Sequence, residues 1–392
     1  MLGKSISVIW LLALAAIISR NTSAESKIGP FEFKSQDGNS SLRIQLIGQL
    51  KMEYENKDND PSNERSDKVY MEARRLRLIL SGILGSPDLT YRTHLSFAPK
   101  SLELMDLYLN YRFNDNLQFR AGQYKVPFTN YRMQSFSRLI YPDWAVVSKY
   151  FGGERQMGLM VHNGYTSPPE WAYAAGVFTG VNARASHGIG VPLVYNQDRP
   201  NPSDLANSAS RADFHPELFL NLSYNANGIN VKSNADKEGG GLRYSLGISG
   251  GWDIELTEHQ DFSIRLAPEL LVKYHGASFL VIGYAGFVDM GHPPLTRLGM
   301  TGLLLQAAYT INPRLDISIR YARVDFKSDL ARDAYESTGK VLDREVEIGA
   351  GLNYEIIGGY LELQNDLTWY GHTRNGDTWK DISLRTQLQI NI

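Results

Sequence analysis

Asp381-Ile382-Ser383-Leu384-Arg385-Thr386-Gln387-Leu388-Gln389-Ile390-Asn391-Ile392 closes the chain, and its reading decides the fold. Ile382, Leu384, Thr386, Leu388, Ile390 and Ile392 fall on one face, and Asp381, Ser383, Arg385, Gln387, Gln389 and Asn391 on the other. Successive side chains of a strand point to opposite faces, so this alternation describes a strand with one apolar and one polar side. Chain ends are usually loosely ordered unless a sheet ties them down. A strand that alternates to its last residue therefore predicts a sheet that closes on itself.

The same period recurs upstream. Leu42, Ile44, Leu46 and Leu50 alternate with Arg43, Gln45, Gln49 and Lys51, and Leu76, Leu78 and Leu80 with Arg75, Arg77 and Ser81. Phe262, Ile264, Leu266, Leu270 and Val272 alternate with Ser263, Arg265, Glu269 and Lys273, and Leu315, Ile317, Ile319 and Tyr321 with Asp316, Ser318 and Arg320. Such runs exceed the usual strand of about 5–6 residues and match the roughly 9–11 that a tilted membrane strand needs. Short turns (Gly85 to Asp88, Asn114 to Asn116, Asn312 to Arg314) alternate with long polar loops (Asn56 to Lys68, Asn182 to Phe214, Asp325 to Asp343). Short turns at one end and long loops at the other characterise an outer-membrane barrel, here of about 16 strands. Tyr70, Tyr91, Tyr111, Tyr309, Tyr321, Tyr354, Trp369 and Tyr370 sit near predicted strand ends, where interfacial girdles form. That placement argues against a soluble sandwich or propeller, whose strands also alternate.

The fold class is thus all-β, a transmembrane antiparallel barrel. Residues 1–24 read as a signal peptide: Lys4, an apolar run from Ile6 to Ile18, then Thr22-Ser23-Ala24. Residues 25–41 form a short N-terminal segment, too few for a plug domain, and 42–392 the barrel. There is no cysteine, consistent with a fold whose backbone groups are paired strand to strand. The formal charge of -2 excludes a generally basic nucleic-acid binder, though not a locally basic channel.

Gln118-Phe119-Arg120-Ala121-Gly122-Gln123-Tyr124-Lys125-Val126-Pro127-Phe128 resembles the strand-to-loop motif of the phosphate-selective porin O and P family. Arg74-Arg75-Leu76-Arg77-Leu78, Asp106 to Tyr111, Glu154 to Gly158 and Ala174 to Gly180 follow in the expected order. The resemblance implies a trimeric outer-membrane porin whose third loop, residues 125–155, folds into the lumen as a constriction. That loop would bring Lys125, Arg132, Arg138 and Lys149 against Asp143 and Glu154. Strand parity adds Arg43, Lys51, Arg75, Arg77, Arg92 and Arg120 to the inward face. Rings of Arg or Lys are the recurrent device of anion pores, and a guanidinium fork suits oxyanions. Lys125, Arg132, Arg138, Arg75, Arg77, Arg92, Arg120 and Arg43 are accordingly the expected anion-binding residues. Glu345, Glu347, Glu355, Glu362 and Asp366 depart from that picture, either neutralising the arginines or lining a cation-friendly wall. The expected partners are small anions, other hydrophilic solutes, outer-membrane lipid and two further copies of the chain, with no nucleic acid and no cofactor.

Other chemistry is less well served. Gly247-Ile248-Ser249-Gly250-Gly251 fits a nucleophile pattern but lacks the strand–turn–helix that exposes such a serine. His94 and Ser96 share the inward face of a strand, as a barrel hydrolase would place them, with no orienting third group evident. Asp213, His215 and Glu217 match no zinc spacing, and Asp58, Asp60 and Asp67 lack the glycine and terminal glutamate of a calcium loop. Three classes remain: a passive anion-preferring porin, a barrel hydrolase, and a non-conducting barrel displaying its loops.

Overall fold

A computed structural model describes residues 31–59, 64–97, 102–151, 155–165, 167–179, 216–254, 262–292, 295–328, 343–374 and 376–392. The leader, and with it the boundary at residue 24, lies outside the described residues. The strands are β1 (Phe31–Lys34), β2 (Ser41–Asn59), β3 (Glu64–Ile83), β4 (Leu89–Ser96), β5 (Glu103–Asn114), β6 (Leu117–Lys125), β7 (Arg155–His162), β8 (Trp171–Phe178) and β9 (Glu217–Ala226). They continue as β10 (Arg243–Ile254), β11 (Phe262–Tyr274), β12 (Ala277–His292), β13 (Leu295–Asn312), β14 (Leu315–Ser328), β15 (Arg344–Ile357), β16 (Leu361–Arg374) and β17 (Asp377–Asn391).

Each strand from β2 onward pairs antiparallel with its sequence neighbours, and β17 pairs with β2, so 16 strands form a closed barrel. The C-terminal alternation is what allows closure. Asn391 stands opposite Ile47 and Asp381 opposite Lys57, and the last residue bonds both ways with Leu46, Ile392 N to Leu46 O at 2.8 Å and Leu46 N to Ile392 O at 2.7 Å. β1 continues along the edge of β2 beyond the end of β17, with Phe31 opposite Ile44 and Lys34 opposite Ser41. Closure gives each of the 16 barrel strands a partner on both sides among the described residues, the condition for strands to cross hydrocarbon. The outer face carries exposed Leu107, Leu220, Leu246, Ile319 and Leu367, a surface that suits lipid rather than water.

The ring has a long-loop end and a short-turn end. His275 and Gly276, at φ 46° and 86°, make the two-residue β11–β12 turn, a conformation that matches the twist of a hairpin. One connection at the short-turn end breaks the rule. Between β9 and β10, residues 227–242 run inward, and Ile229, Val231, Asn234, Ala235 and Asp236 are buried.

The lumen is not uniformly polar. From β7 to β14 the inward positions include Met160, Phe178, Phe219, Leu271, Ile282, Leu304 and Val324, all buried. An apolar wall cannot be left wet without cost. Residues 126–151 cover it, and Val126, Phe128, Tyr131, Val147, Tyr150 and Phe151 join those wall residues in one apolar cluster. Ile229 and Val231 belong to the same cluster, so segments from both ends fill the same half of the barrel. Along β15–β17 and β2–β5 the inward positions are mostly polar, among them Gln49, Asn353, Gln364, Asp366, Arg385 and Gln387.

Two aromatic expectations are corrected. Tyr70 faces inward, its hydroxyl donating to Glu53 at 2.6 Å, and Tyr370 lines a lumen cavity. Tyr70 changes face because β3 carries a bulge, and Tyr370 because it follows outward-facing Trp369 by one residue.

Candidate functional site

The bulge also builds the site. Gln49 stands opposite Arg75, but the next residue, Leu50, stands opposite Ala73, so Arg74 has no partner on β2. An extra residue in one strand breaks the alternation. Arg74 and Arg75 therefore both face inward and both bond Oδ1 of Asp143, at 3.1 and 2.8 Å. Arg75 also donates to Gln49 Oε1 at 2.8 Å and to the Pro142 carbonyl at 3.2 Å. Arg385 (3.6 Å) and Lys51 (3.9 Å) approach the other oxygen of Asp143. Burial alone would raise that carboxyl, but Arg75, Arg74, Arg385 and Lys51 hold it well below the usual carboxylate range.

Asp143 belongs to the segment 126–151, and wall groups fix that segment from several sides. It contains a short helix α1 (Asn130–Met133), a 3-10 turn (Phe136–Arg138) and a second helix α2 (Val147–Phe151). Thr129 caps α1, accepting from Arg132 N at 3.2 Å, and Glu269 of β11 accepts from Asn130 N (2.7 Å) and Tyr131 N (3.2 Å). A carboxylate at a helix start satisfies donors that have no partner within the helix. Val146 N donates to Glu347 of β15 at 2.6 Å, Asn353 donates to the Ile140 carbonyl at 2.7 Å, and Gln364 of β16 to the Leu139 carbonyl at 2.8 Å. Gln389 of β17 donates to the Ser137 carbonyl at 2.9 Å. A segment that leaves β6 and meets inward groups of β3, β11, β15, β16 and β17 runs across the interior of the ring.

The late-strand carboxylates are spent on this packing. Glu347 also pairs with Arg320, Glu345 accepts from Tyr150 and lies 3.5 Å from Lys149, and Asp366 holds Arg385 through bonds of 2.8 and 2.5 Å. Glu355 pairs with Lys237 of the β9–β10 connection. They form no continuous cation-friendly wall. They hold insert and wall together.

The expected anion residues divide into groups. Arg75 and Arg77 flank the Phe136 ring, with guanidinium carbons 5.4 and 5.8 Å from its centroid. Arg132 and Lys125 lie over Trp144 at 4.6 and 5.1 Å. Lys125 also donates to the Arg132 and Gln134 carbonyls at 3.0 and 2.7 Å, so it clamps the start of the insert as well as carrying charge. Arg92 lies 3.4 Å from Asp106, whose other oxygen accepts from Arg155 at 2.6 Å. Arg138 is exposed on the 3-10 turn. Two placements differ from expectation. Arg120 is buried between the rings of Tyr108 (4.2 Å) and Tyr165 (4.5 Å) and donates to Asn110, so it braces the wall instead of lining open space. Arg43 lies near the short-turn end of β2, opposite Ser81 and away from the insert.

Sequence reasoning missed Arg74, Asp106, Arg155 and Arg385. The paired Arg74-Arg75 was visible, but a bulge leaves little signal in the sequence. The structure supplies the orienting group that His94 lacked, since its Nδ1 is 3.0 Å from Asp106 Oδ2. His94 and Ser96 are nevertheless 3% and 2% exposed, too enclosed for a substrate to reach. Ser249 lies mid-strand in β10, contacting Thr129 N and Asn221 at 3.1 and 2.8 Å. Asp60, Asp213, His215 and Glu154 lie outside the described residues. Glu217 is buried against Arg265 and Gln156, and Asp67 accepts from Tyr54 and Asn56. Among the described residues no three carboxylate, histidine or cysteine side chains are grouped to hold a metal ion.

Residues 44–234 match the family described as phosphate-selective porin O and P. No curated protein sequence matches the chain. Among solved structures the barrel is similar to the outer-membrane channel DcaP of Acinetobacter baumannii, with a TM-score of 0.62 and 14% identity over 92% of this chain and 99% of that one. It is also similar to an anion-selective porin from Comamonas acidovorans (TM-score 0.58, 11% identity, 90% and 100% covered). Salmonella typhi OmpF, solved in complex with daunomycin, gives a TM-score of 0.57 at 11% identity, with 92% and 100% covered.

Proposed function

We infer that this chain, an outer-membrane porin belonging through residues 44–234 to the phosphate-selective porin O and P family, passes small hydrophilic solutes down their gradients with a preference for oxyanions. The observation that carries the preference is Arg77. It makes no ion pair among the described residues, and its Nε and Nη1 are buried without a protein acceptor. Buried donors of this kind are normally satisfied by something, and beside Arg75, Arg92 and Arg155 an anion is the natural acceptor. Lys125 and Arg132 extend the basic surface onto the insert, and Arg138 offers a further exposed cation. Several moderate contacts suit conduction better than one tight site, because the ion must leave again. The family also supports assembly as a homotrimer. The processed chain would begin after residue 24, with residues 25–41 leading into the barrel at 42–392 and residues 125–155 forming the constriction. No cofactor or covalent step is required.

The test is the reversal potential of the refolded protein in a planar bilayer under a KCl gradient. An anion-favouring potential is expected, reduced in Arg77→Gln. A cation-favouring potential in a heat-modifiable barrel overturns the preference and leaves the porin. A verified barrel that does not conduct removes the porin reading in favour of a displayed, closed barrel.

A further inference from the structure

On the loop side of the insert lies a cavity of about 440 Å3, large enough for one small solute with part of its water. Its charges are layered. Towards the long loops, Asp381 stands opposite Lys57, Ser383 opposite Glu55, and Glu345 opposite His372. This rim presents three carboxylates against two lysines, Lys57 and Lys149, the latter 3.5 Å from Glu345, and His372, 3.5 Å from Glu345 and 3.3 Å from Asp381, is flanked by the Tyr370 and Trp379 rings. The carboxylates of the rim outnumber its lysines by one. One layer deeper the lining balances, Glu53, Glu72 and Asp143 against Lys51, Arg74 and Arg385. Deeper still, Arg75, Arg77, Arg92 and Arg155 outnumber Asp106, which pairs with the last two, and give the path its basic stretch. The field therefore runs from negative at the rim to positive at the constriction.

A simple anion meets that rim as a barrier and a simple cation meets the constriction as one. A molecule carrying both charges meets neither, provided its anionic end leads. We propose that the preferred solutes of this pore are small zwitterions, whose anionic group passes toward Arg74, Arg75 and Arg77 while the cationic group trails past Glu55 and Asp381. The proposal rests on the anion-preferring porin reading and narrows it. Low-dielectric walls focus the field of such fixed charges, so a dipolar solute is aligned before it reaches the narrowest point.

Three probes of nearly equal size separate the possibilities: β-alanine, propionate and propylammonium. Their flux into proteoliposomes carrying the full barrel is measured by swelling, beside KCl conductance on the same preparation. β-Alanine is expected to enter several-fold faster than either singly charged probe. In Glu55→Gln/Asp381→Asn that advantage over propionate disappears and the KCl reversal potential moves toward anions. A second pair, Glu55→Asp/Asp381→Glu, keeps the charges and is expected to keep the advantage. Equal fluxes of β-alanine and propionate, or an advantage untouched in the neutralised variant, overturn the zwitterion proposal while KCl conductance leaves the porin standing. Loss of both conductance and swelling overturns the porin reading itself.

Discussion

Replacing Asp143 by asparagine removes the one carboxylate that the insert holds out to Arg74, Arg75, Arg385 and Lys51, at distances from 2.8 to 3.9 Å. The side chain keeps its size and one accepting oxygen, so the principal change is one unit of charge. For a permeating anion about 4 Å away, that charge is worth about 1 kcal/mol at the dielectric of water and about 4 kcal/mol at an effective dielectric of 20. Salt at about 0.1 M screens over about 10 Å and does not erase it at this range. The watery limit gives a floor: about 1 kcal/mol gained by an anion and the same lost by a cation, together more than about tenfold in their permeability ratio. Breaking a buried ion pair commonly costs about 3–5 kcal/mol. Arg74 is about a third exposed, which reduces that cost, so the insert is expected to loosen while the barrel persists. The assay is the KCl reversal potential in a planar bilayer, with heat-modified mobility confirming the barrel. A folded Asp143→Asn barrel with unchanged potential would refute the placement of this carboxylate beside the ion path.

Because the cations outweigh burial and depress the Asp143 carboxyl, its contribution to docking is present above the unfolded carboxylate range of about 4 and is lost only as pH falls toward its lower folded value. The difference in insert docking between the unmodified chain and Asp143→Asn, followed by protease resistance at residues 126–151, is expected to stay constant from about pH 7 to about pH 4; a midpoint in that difference inside that window rejects the coupling to the arginines. Gln134→Ala removes the bonds to the Val231 carbonyl (3.1 Å) and Asn234 (2.6 Å) that join the two inserts, so open-channel current noise should rise. Noise equal to that of the unmodified chain would show that the inserts are held separately. Gly122 has φ +130°, and a Cβ there would stand 2.2 Å from the Leu107 carbonyl oxygen of β5. Gly122→Ala should therefore abolish the heat-modifiable band on refolding, and a normally folded variant would contradict the close approach of β5 and β6.

The barrel was legible because one physical rule operates along most of the chain: the lipid face must be apolar, and parity follows. Arg385, Gln387 and Gln389 read as inward from the sequence and are inward in the structure. The rule fails where its premise fails. On β12 and β13 the inserts give the inner face an apolar environment too, so Phe279-Leu280-Val281-Ile282 and Leu303-Leu304-Leu305 read as continuous apolar runs with no preferred face. Tyr70 and Arg74 were misread or unread for another reason. A bulge shifts a strand by one residue without altering its composition. The cationic character of the site could be inferred from the family resemblance and from parity. Its wiring could not, because Asp143 reaches arginines on β3 and β17 that are distant in sequence.

The position of the insert has a consequence for how the molecule comes to exist. Residues 126–151 are enclosed by a hydrogen-bonded hoop whose final seam, β17 to β2, joins side chains such as Gln49 and Gln389, 340 positions apart. Once that seam is shut, no gap between neighbouring strands is wide enough to admit a folded segment. The insert must therefore reach its seat while the hoop is open, or be drawn in from the mouth before its polar anchors can form. The carboxylates Glu269 and Glu347 that receive it stand on strands made after it in chain order, so an early chain has nothing to hold it. Long-range seams of this kind are slow to form. Biogenesis thus has two events that can fall out of step, and a barrel that seals before its insert is seated would be a stable but differently permeable by-product.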